Sequence, residues 1–525
     1  MERSVFSNRS DDDHALLPPS IGWDWHYTAA LLAASIIIYA TLSLLRSSKS
    51  YDSLPVANKL FPFEPSFFSR IRWALWAQQI IRDADKKAQG RPYKLARGDS
   101  ELVILPARLI PELNRYGVDV LDSRKSHAFT LLGHLTGMEV VEHTSYHVRM
   151  LQGSITPALP ELLHSMAKRI SGALKEEFPQ SDQWTIMKPL PASVRCFSEG
   201  IALVLYGSKM VENPRLVELT YTLTRNVFVV AFAMRCVPSC LNRYLAWLLP
   251  AKWRMHQDWK ALSDFVIPEV QRRKTMILEG KEEHSPDLIT WMVQSGRTEL
   301  ERDPQVLATL CGSVAAGSTY SIANFVCRAL SDLTSNPEVL KAVRTEILAK
   351  NTEIGGRWDT AALADLPCLE SAMKETARLA PGTLIVYSRA VKQDCVIGGV
   401  PLKKGQFMTV SGPGRAMDPN IYEDPTTYKG LRFCADDKIK EHSVKPFRSV
   451  DTDILTWGAG KWACPGRYIA DMAAKILLIQ LIDAYEFSFV GGVPLKHDAI
   501  HEFLFFHPDN KMQVRRRKDA VGISL

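Results

Sequence analysis

The sequence predicts one large, mainly helical domain with small β-sheets, preceded by a single transmembrane helix. Three observations point to it. Residues Tyr27 to Leu45 (YTAALLAASIIIYATLSLL) carry no charge and match the roughly 20 apolar residues that a helix needs to cross a bilayer. Further on, Ala158–Phe178 and Trp259–Met276 mix polar and apolar residues at helical spacing, and an apolar-rich stretch of helix length runs from Asp303 to Ser335. Short strand-like pieces cluster at Leu102–Leu105 and from Ala390 to Val410, where Gly398, Gly399, Pro401 and Gly405 punctuate them.

The uncharged run at 27–45 is flanked by Asp11, Asp12 and Asp13 before it and by Arg46 and Lys49 after it. Positive residues stay on the cytosolic side. Residues 1–26 are therefore expected in the lumen, 27–45 in the membrane, 46–60 as a serine-containing linker, and 61–525 as a cytosolic body. Together these give a single-pass protein of the endoplasmic reticulum membrane. A cleaved signal peptide fits less well, because the run is long, starts late and has an acidic lead. Asn8-Arg9-Ser10 is a glycosylation sequon on the lumenal side. Val227–Leu249 is strongly apolar but is broken by Arg235 and Pro238, which suits a roof over an apolar pocket better than a second span.

Composition narrows the function. The chain has 525 residues, 46% hydrophobic and 23% charged, as expected of a globular protein with a sizeable core. A net charge of +7 without a nucleic-acid-reading motif argues against DNA or RNA, and Arg515–Lys518 reads as a solvated tail. The nine cysteines form no CxxC pair and are irregularly spaced. That pattern argues against a zinc site or a disulfide framework.

The strongest chemical signal is Trp457-Gly458-Ala459-Gly460-Lys461-Trp462-Ala463-Cys464-Pro465-Gly466-Arg467. Glycines before the cysteine allow a tight turn and close approach to a flat cofactor. An amphipathic segment with Ile469, Met472, Ile476 and Ile479 on one face follows. Cys464 thus sits at a helix N-terminus, where the dipole, Lys461 and Arg467 favour a thiolate.

This loop resembles the haem-binding loop of the cytochrome P-450 family: Phe, two residues, Gly, one, Arg or His, one, Cys, one, Gly. Gly460, Cys464 and Gly466 match. Trp457 stands for the phenylalanine, and Trp462 stands for the Arg/His that binds a haem propionate, bringing an N–H but no charge. The resemblance implies the cytochrome P-450 fold with haem b ligated by Cys464, because a thiolate pushes electron density toward O–O cleavage. Glu375 and Arg378, three apart on one helical face, resemble the family's ExxR helix. Arg432, in Tyr428–Phe433, resembles the arginine that joins them to lock the fold beneath the haem. Arg389 resembles a propionate contact, which a guanidinium fork suits. The family's Trp-xxx-Arg propionate site is incomplete: Arg149 supplies the arginine, but Ser145 stands where the tryptophan would be.

The long helix carries Ala315-Ala316-Gly317-Ser318-Thr319-Tyr320-Ser321, where the family has Ala/Gly, Gly, any residue, Asp/Glu, Thr. No acid is present in any register. Thr319 is the expected alcohol, with Ser318 at the acid position. Counting back from Asn336-Pro337 favours Ser321 instead.

The resemblance implies oxygen insertion into a C–H bond of a small apolar substrate, with electrons from NADPH through a membrane reductase. Lys440, Lys445 and Lys461 are candidate docking charges for that partner. The stretch 184–273 looks most like fungal enzymes that oxidise terpenoid or meroterpenoid metabolites. Two alternatives remain: a haem-thiolate isomerase needing no reductase, and a non-catalytic haem-binding protein.

Overall fold

The computed structural model describes residues 54–61, 64–281, 284–434 and 445–525. The predicted span at 27–45, the segment 1–26 with Asn8, the linker up to residue 53, and Lys440 lie outside these residues. In chain order come helix α1 (Ser66–Ala88), strands β1 (Tyr93–Ala96), β2 (Glu101–Leu105) and β3 (Leu121–Asp122), and helices α2 (Ser123–Thr130) and α3 (Tyr146–Met150). A wider turn at Leu151–Ile155 leads into α4 (Thr156–Glu177), followed by β4 (Thr185–Met187), α5 (Pro189–Tyr206), α6 (Pro214–Arg235), α7 (Pro250–Leu278), α8 (Pro304–Ser335), α9 (Pro337–Glu353) and α10 (Pro367–Leu379). Strands β5 (Ile385–Val391), β6 (Cys395–Ile397), β7 (Val400–Leu402) and β8 (Phe407–Ser411) precede α11 (Arg467–Ala484). The chain closes with β9 (Tyr485–Phe489), β10 (His497–Ile500), β11 (Phe503–Phe506) and β12 (Met512–Arg516).

The helices start where the sequence supplies caps. Asp303 Oδ1 accepts the amide of Gln305 (2.8 Å) with Pro304 in the first turn, opening α8; the helix ends at Asn336, before Pro337. Asn213 and Pro214 open α6 in the same way. Helices α4 and α7 begin earlier than the periodicity predicted, because Pro157 and Pro250 sit in their first turns.

Helices α5 and α8 form the centre. Nearly every residue of α5 is buried, from Pro189 to Tyr206. Helices α6 and α8 are long and apolar enough to cross a membrane, but more than half of each such window is buried in the body, 56% and 61%. They are core helices.

The largest sheet has the order β1-β2-β8-β5-β3, with β2 and β8 parallel in the register Leu102↔Phe407. β10 and β11 form a hairpin, β4-β12-β9 a third sheet, and β6-β7 a fourth. The architecture is mainly helical with small sheets, as predicted.

Candidate active site

Cys464 lies three residues before α11. Its amide donates to the carbonyl of Trp457 (2.7 Å), closing the loop. Gly460 has φ +64, and a Cβ there would fall 2.0 Å from Asn114 Oδ1, so only glycine fits. The Trp457 indole donates to the Phe447 carbonyl (2.5 Å) and fixes the loop from behind. Burial pushes the Cys464 thiol up, while the Gly466 amide, the Arg467 charge and the Arg467 amide pull it down. Cys464 is nonetheless only partly buried. It therefore borders an internal opening.

Across that opening lies α8. Its middle turns are not uniformly packed: Gly317 and Ser321 are exposed although they lie in the central helix, and Val314 and Phe325 are half-buried. These positions recur every three or four residues, so they share one face. Phe325 stacks on Phe447 (ring centroids 4.7 Å), and Phe447 meets Trp457 edge-on (5.1 Å), which turns this face toward the cysteine loop.

Thr319, the alcohol expected from the sequence, is on the other side. It is 0% exposed and its Oγ1 has no hydrogen-bond partner. Residues two apart on a helix are about 200° apart, so Thr319 and Ser321 cannot both face the opening. Thr319 packs with Ala315, Ala316 and Ala323 against neighbouring helices, and Thr224 of α6 reaches the Ala315 carbonyl (3.3 Å). Of the two hydroxyls the sequence offers, Thr319 is thus the buried one and Ser321, the residue reached by counting back from Asn336-Pro337, the exposed one. Ser321 Oγ donates to the Gly317 carbonyl at 3.2 Å. Ser318 Oγ is spent on the Ala315 carbonyl (3.1 Å). In this register Tyr320 occupies the acid position.

Beneath the cysteine loop the predicted triad is assembled. Glu375 Oε1 and Oε2 accept from Arg378 Nη2 (2.7 Å) and Nε (2.8 Å), and Oε1 also accepts from Arg432 Nε (3.0 Å) and the Lys429 amide (3.1 Å). Arg378 Nη1 reaches the carbonyls of Ala416 (2.7 Å) and Pro425 (2.6 Å), and its guanidinium lies over the Tyr422 ring. Both members of the Glu375–Arg378 pair have fully buried side chains.

Arg389, on β5, is buried. Its Nη1 donates to the Ser388 carbonyl (2.8 Å) and its Nη2 has no partner. Trp462 is partly buried beside the cysteine. Arg149, expected at a propionate, is paired with a carboxylate. Its fork closes on Glu301, Nη1 to Oε1 at 3.1 Å and Nη2 to Oε2 at 2.8 Å, because α3 packs near the short helix Glu299–Arg302. His147, two residues earlier and on the opposite face, points inward instead. Its Nδ1 is buried without a partner, and burial plus nearby His127 lower its pKa to about 4. His127 borders open space, and burial lowers its pKa as well. Sequence reading passed over both histidines; no spacing or motif marks two residues from separate short helices.

A flat cofactor fits this arrangement. One thiol borders the opening, a glycine-faced helix bounds it opposite, and buried guanidinium N–H groups without partners (Arg389 Nη2, Arg467 Nε) would suit its carboxylates. A fold and site of this kind define a haem-thiolate enzyme.

Comparison with known proteins agrees. A model of the cytochrome P450 family matches residues 143–514, and the chain belongs to that family. It is similar to the cytochrome P450 monooxygenase terK of Tolypocladium album, 27% identical over 523 residues and 96% of each chain. It is also similar to olcJ of Penicillium canescens (26% over 502 residues, 93% of this chain and 92% of the relative) and to hepE of Aspergillus oryzae (26% over 511 residues, 94% and 91%), both cytochrome P450 monooxygenases. The chain is an oxidoreductase of the P450 monooxygenase class, and the family's cofactor is haem with a cysteine thiolate ligand.

Proposed function

We propose that this enzyme inserts one oxygen atom of O₂ into a small apolar substrate, a terpenoid or meroterpenoid of fungal secondary metabolism. The second oxygen atom leaves as water, and NADPH supplies two electrons through a membrane reductase. Bound haem supplies the oxygen activation. The chain's residues do the rest. Cys464 would supply the thiolate that holds the haem iron. Arg389 and Trp462 hold propionates, and Gly460 and Gly466 shape the loop around the ring. Glu375, Arg378 and Arg432 brace the loop from below. The observation that carries the reading is the placement of Ser321: the exposed hydroxyl on the one face of α8 that turns toward the cysteine loop. With no carboxylate on that face beside it, Ser321 holds a proton at Oγ and ordered water completes the supply. The exposed Lys445 is a docking charge for the reductase.

Ser321→Ala is expected to keep the spectrum of thiolate ligation and substrate binding, yet lower product formed per NADPH several-fold, with hydrogen peroxide released instead. Thr319→Ala is expected to couple as the parent does and to lose roughly 1 kcal/mol of stability, the cost of a small buried void. Coupling measured on both variants decides: loss at Thr319 alone would return the role to that residue. Product formed without NADPH and O₂ would make the enzyme an isomerase.

The body at 61–525 is anchored by the 27–45 span in the endoplasmic reticulum membrane, with residues 1–26 in the lumen. Removing residues 1–46 is expected to leave haem content unchanged and to release much of the protein from membranes, as measured by sedimentation. Complete retention would point to the exposed apolar surface after α6, where Tyr244 is 72% and Leu248 76% exposed.

A further inference from the structure

A buried ionic cluster stands at the C-terminal end of α6, outside the site above. Arg235, the last residue of that helix, is fully buried and gives Nη2 to both oxygens of Glu502, at 2.8 and 3.1 Å. Glu502 sits in the turn between β10 and β11, equally buried, and also accepts from Trp73 Nε1 of α1 (2.9 Å) and Arg97 Nη1 (3.4 Å). Arg97 pairs with Asp99 (2.6 Å), which lies 3.7 Å from Arg235 Nε. Arg70 caps the helix end by donating to the carbonyls of Arg235 (3.0 Å) and Val237 (3.1 Å).

Next to this cluster, four half-buried rings face one another across the joint between α6 and the hairpin. Phe232 meets Phe503 (centroids 5.2 Å), Phe505 (5.7 Å) and Phe228 (5.4 Å). His501 Nε2 donates to the Phe232 carbonyl (3.0 Å). The same hairpin is tied to α8, because the Phe506 amide donates to Asn324 Oδ1 (3.0 Å). Asn324 lies about one turn past Ser321, so the rings stand beside the open face of that helix.

We propose that Arg235 is a positioning residue for the substrate chamber. By clamping the end of α6 to the β10–β11 turn it fixes the distance between Phe232 and Phe503, and so sets the size of molecule that reaches the Cys464 side. Arg235 shares this joint with the His501–Phe232 hydrogen bond, but it alone brings an α6 charge onto Glu502. Arg235 is the last residue of α6, and exposed Leu241, Tyr244 and Leu248 follow it. The proposal deepens the apolar-substrate reading and rests on it.

Arg235→Met is the suitable variant. It keeps the aliphatic volume and leaves two guanidinium groups, Arg70 and Arg97, beside two carboxylates, Asp99 and Glu502, so no buried charge is stranded. The probes are imidazole and 4-phenylimidazole, which bind ferric haem and shift its Soret band. The full-length haem-loaded enzyme is used, with neither substrate nor NADPH, so failure here is distinguishable from failure of the monooxygenase reading. In Arg235→Met, 4-phenylimidazole is expected to bind about tenfold tighter, as when a wide state present in fewer than one molecule in ten becomes dominant. Imidazole affinity, haem content and the carbon monoxide spectrum are expected to stay as in the parent. Arg235→Lys, which keeps one contact to Glu502, is expected to fall between the two. Equal changes for both azoles, or no change for either, would overturn the proposal. So would loss of haem from Arg235→Met accompanied by parental azole selectivity in Arg235→Lys, since that would leave Arg235 with a purely structural role.

Discussion

Cys464→Ala is expected to abolish the strongly red-shifted Soret band that the reduced, carbon monoxide-bound parent gives. The loop leaves no substitute ligand beside it. Of the remaining cysteines, Cys196, Cys311 and Cys327 are sealed in the helical core, where burial pushes their thiols up. Only Cys464 combines an internal opening with two amides and a guanidinium that favour the anion. The loop itself should persist in the variant, because its geometry rests on Trp457, Gly460 and the Cys464 amide, none of which needs the thiol. The measurement is the difference spectrum of purified protein; a parental spectrum from the variant would move the ligand elsewhere.

Glu375→Ala is expected to yield little haem-loaded protein. Its carboxylate accepts from Arg378 twice, from Arg432 and from the Lys429 amide. Removing it strands two buried guanidinium groups in the segment that supports the cysteine loop. Breaking one side of a buried ion pair costs roughly 3–5 kcal/mol, a large part of the 5–15 kcal/mol by which a typical protein is stable. Haem per polypeptide and the thermal midpoint report the effect. Normal haem content with slower turnover alone would contradict a structural role.

The features legible in the sequence were those whose partners lie within a turn or a short loop. The cysteine loop and the Glu375–Arg378 spacing specify their own geometry, and Arg432 followed from a second short segment. The oxygen helix was harder for a physical reason. Its small residues place hydroxyls on both sides, at Thr319 and at Ser321, with no carboxylate to tell them apart, and their different burial comes from packing against α6 and the stack Phe325–Phe447–Trp457. The pairing of Arg149 was not legible, because its partner Glu301 is 152 residues away. The two histidines carried no local signal at all, and the Arg235 clamp joins elements that the sequence gives no reason to place together.

That last separation has a consequence for how the protein is made. Glu502 is 429 residues from Trp73, 405 from Arg97 and 267 from Arg235. A ribosome adding roughly 5–20 residues per second needs on the order of 20–90 s to pass from the first of these to the last. During that interval Arg97 already has Asp99 beside it, whereas Glu502, the carboxylate closest to Arg235, is still to be translated. The helices α4 and α5 can pair early, being neighbours in the chain, but the wall of the chamber cannot close before the final hairpin arrives. Closure of that wall thus waits on the hairpin that carries Glu502.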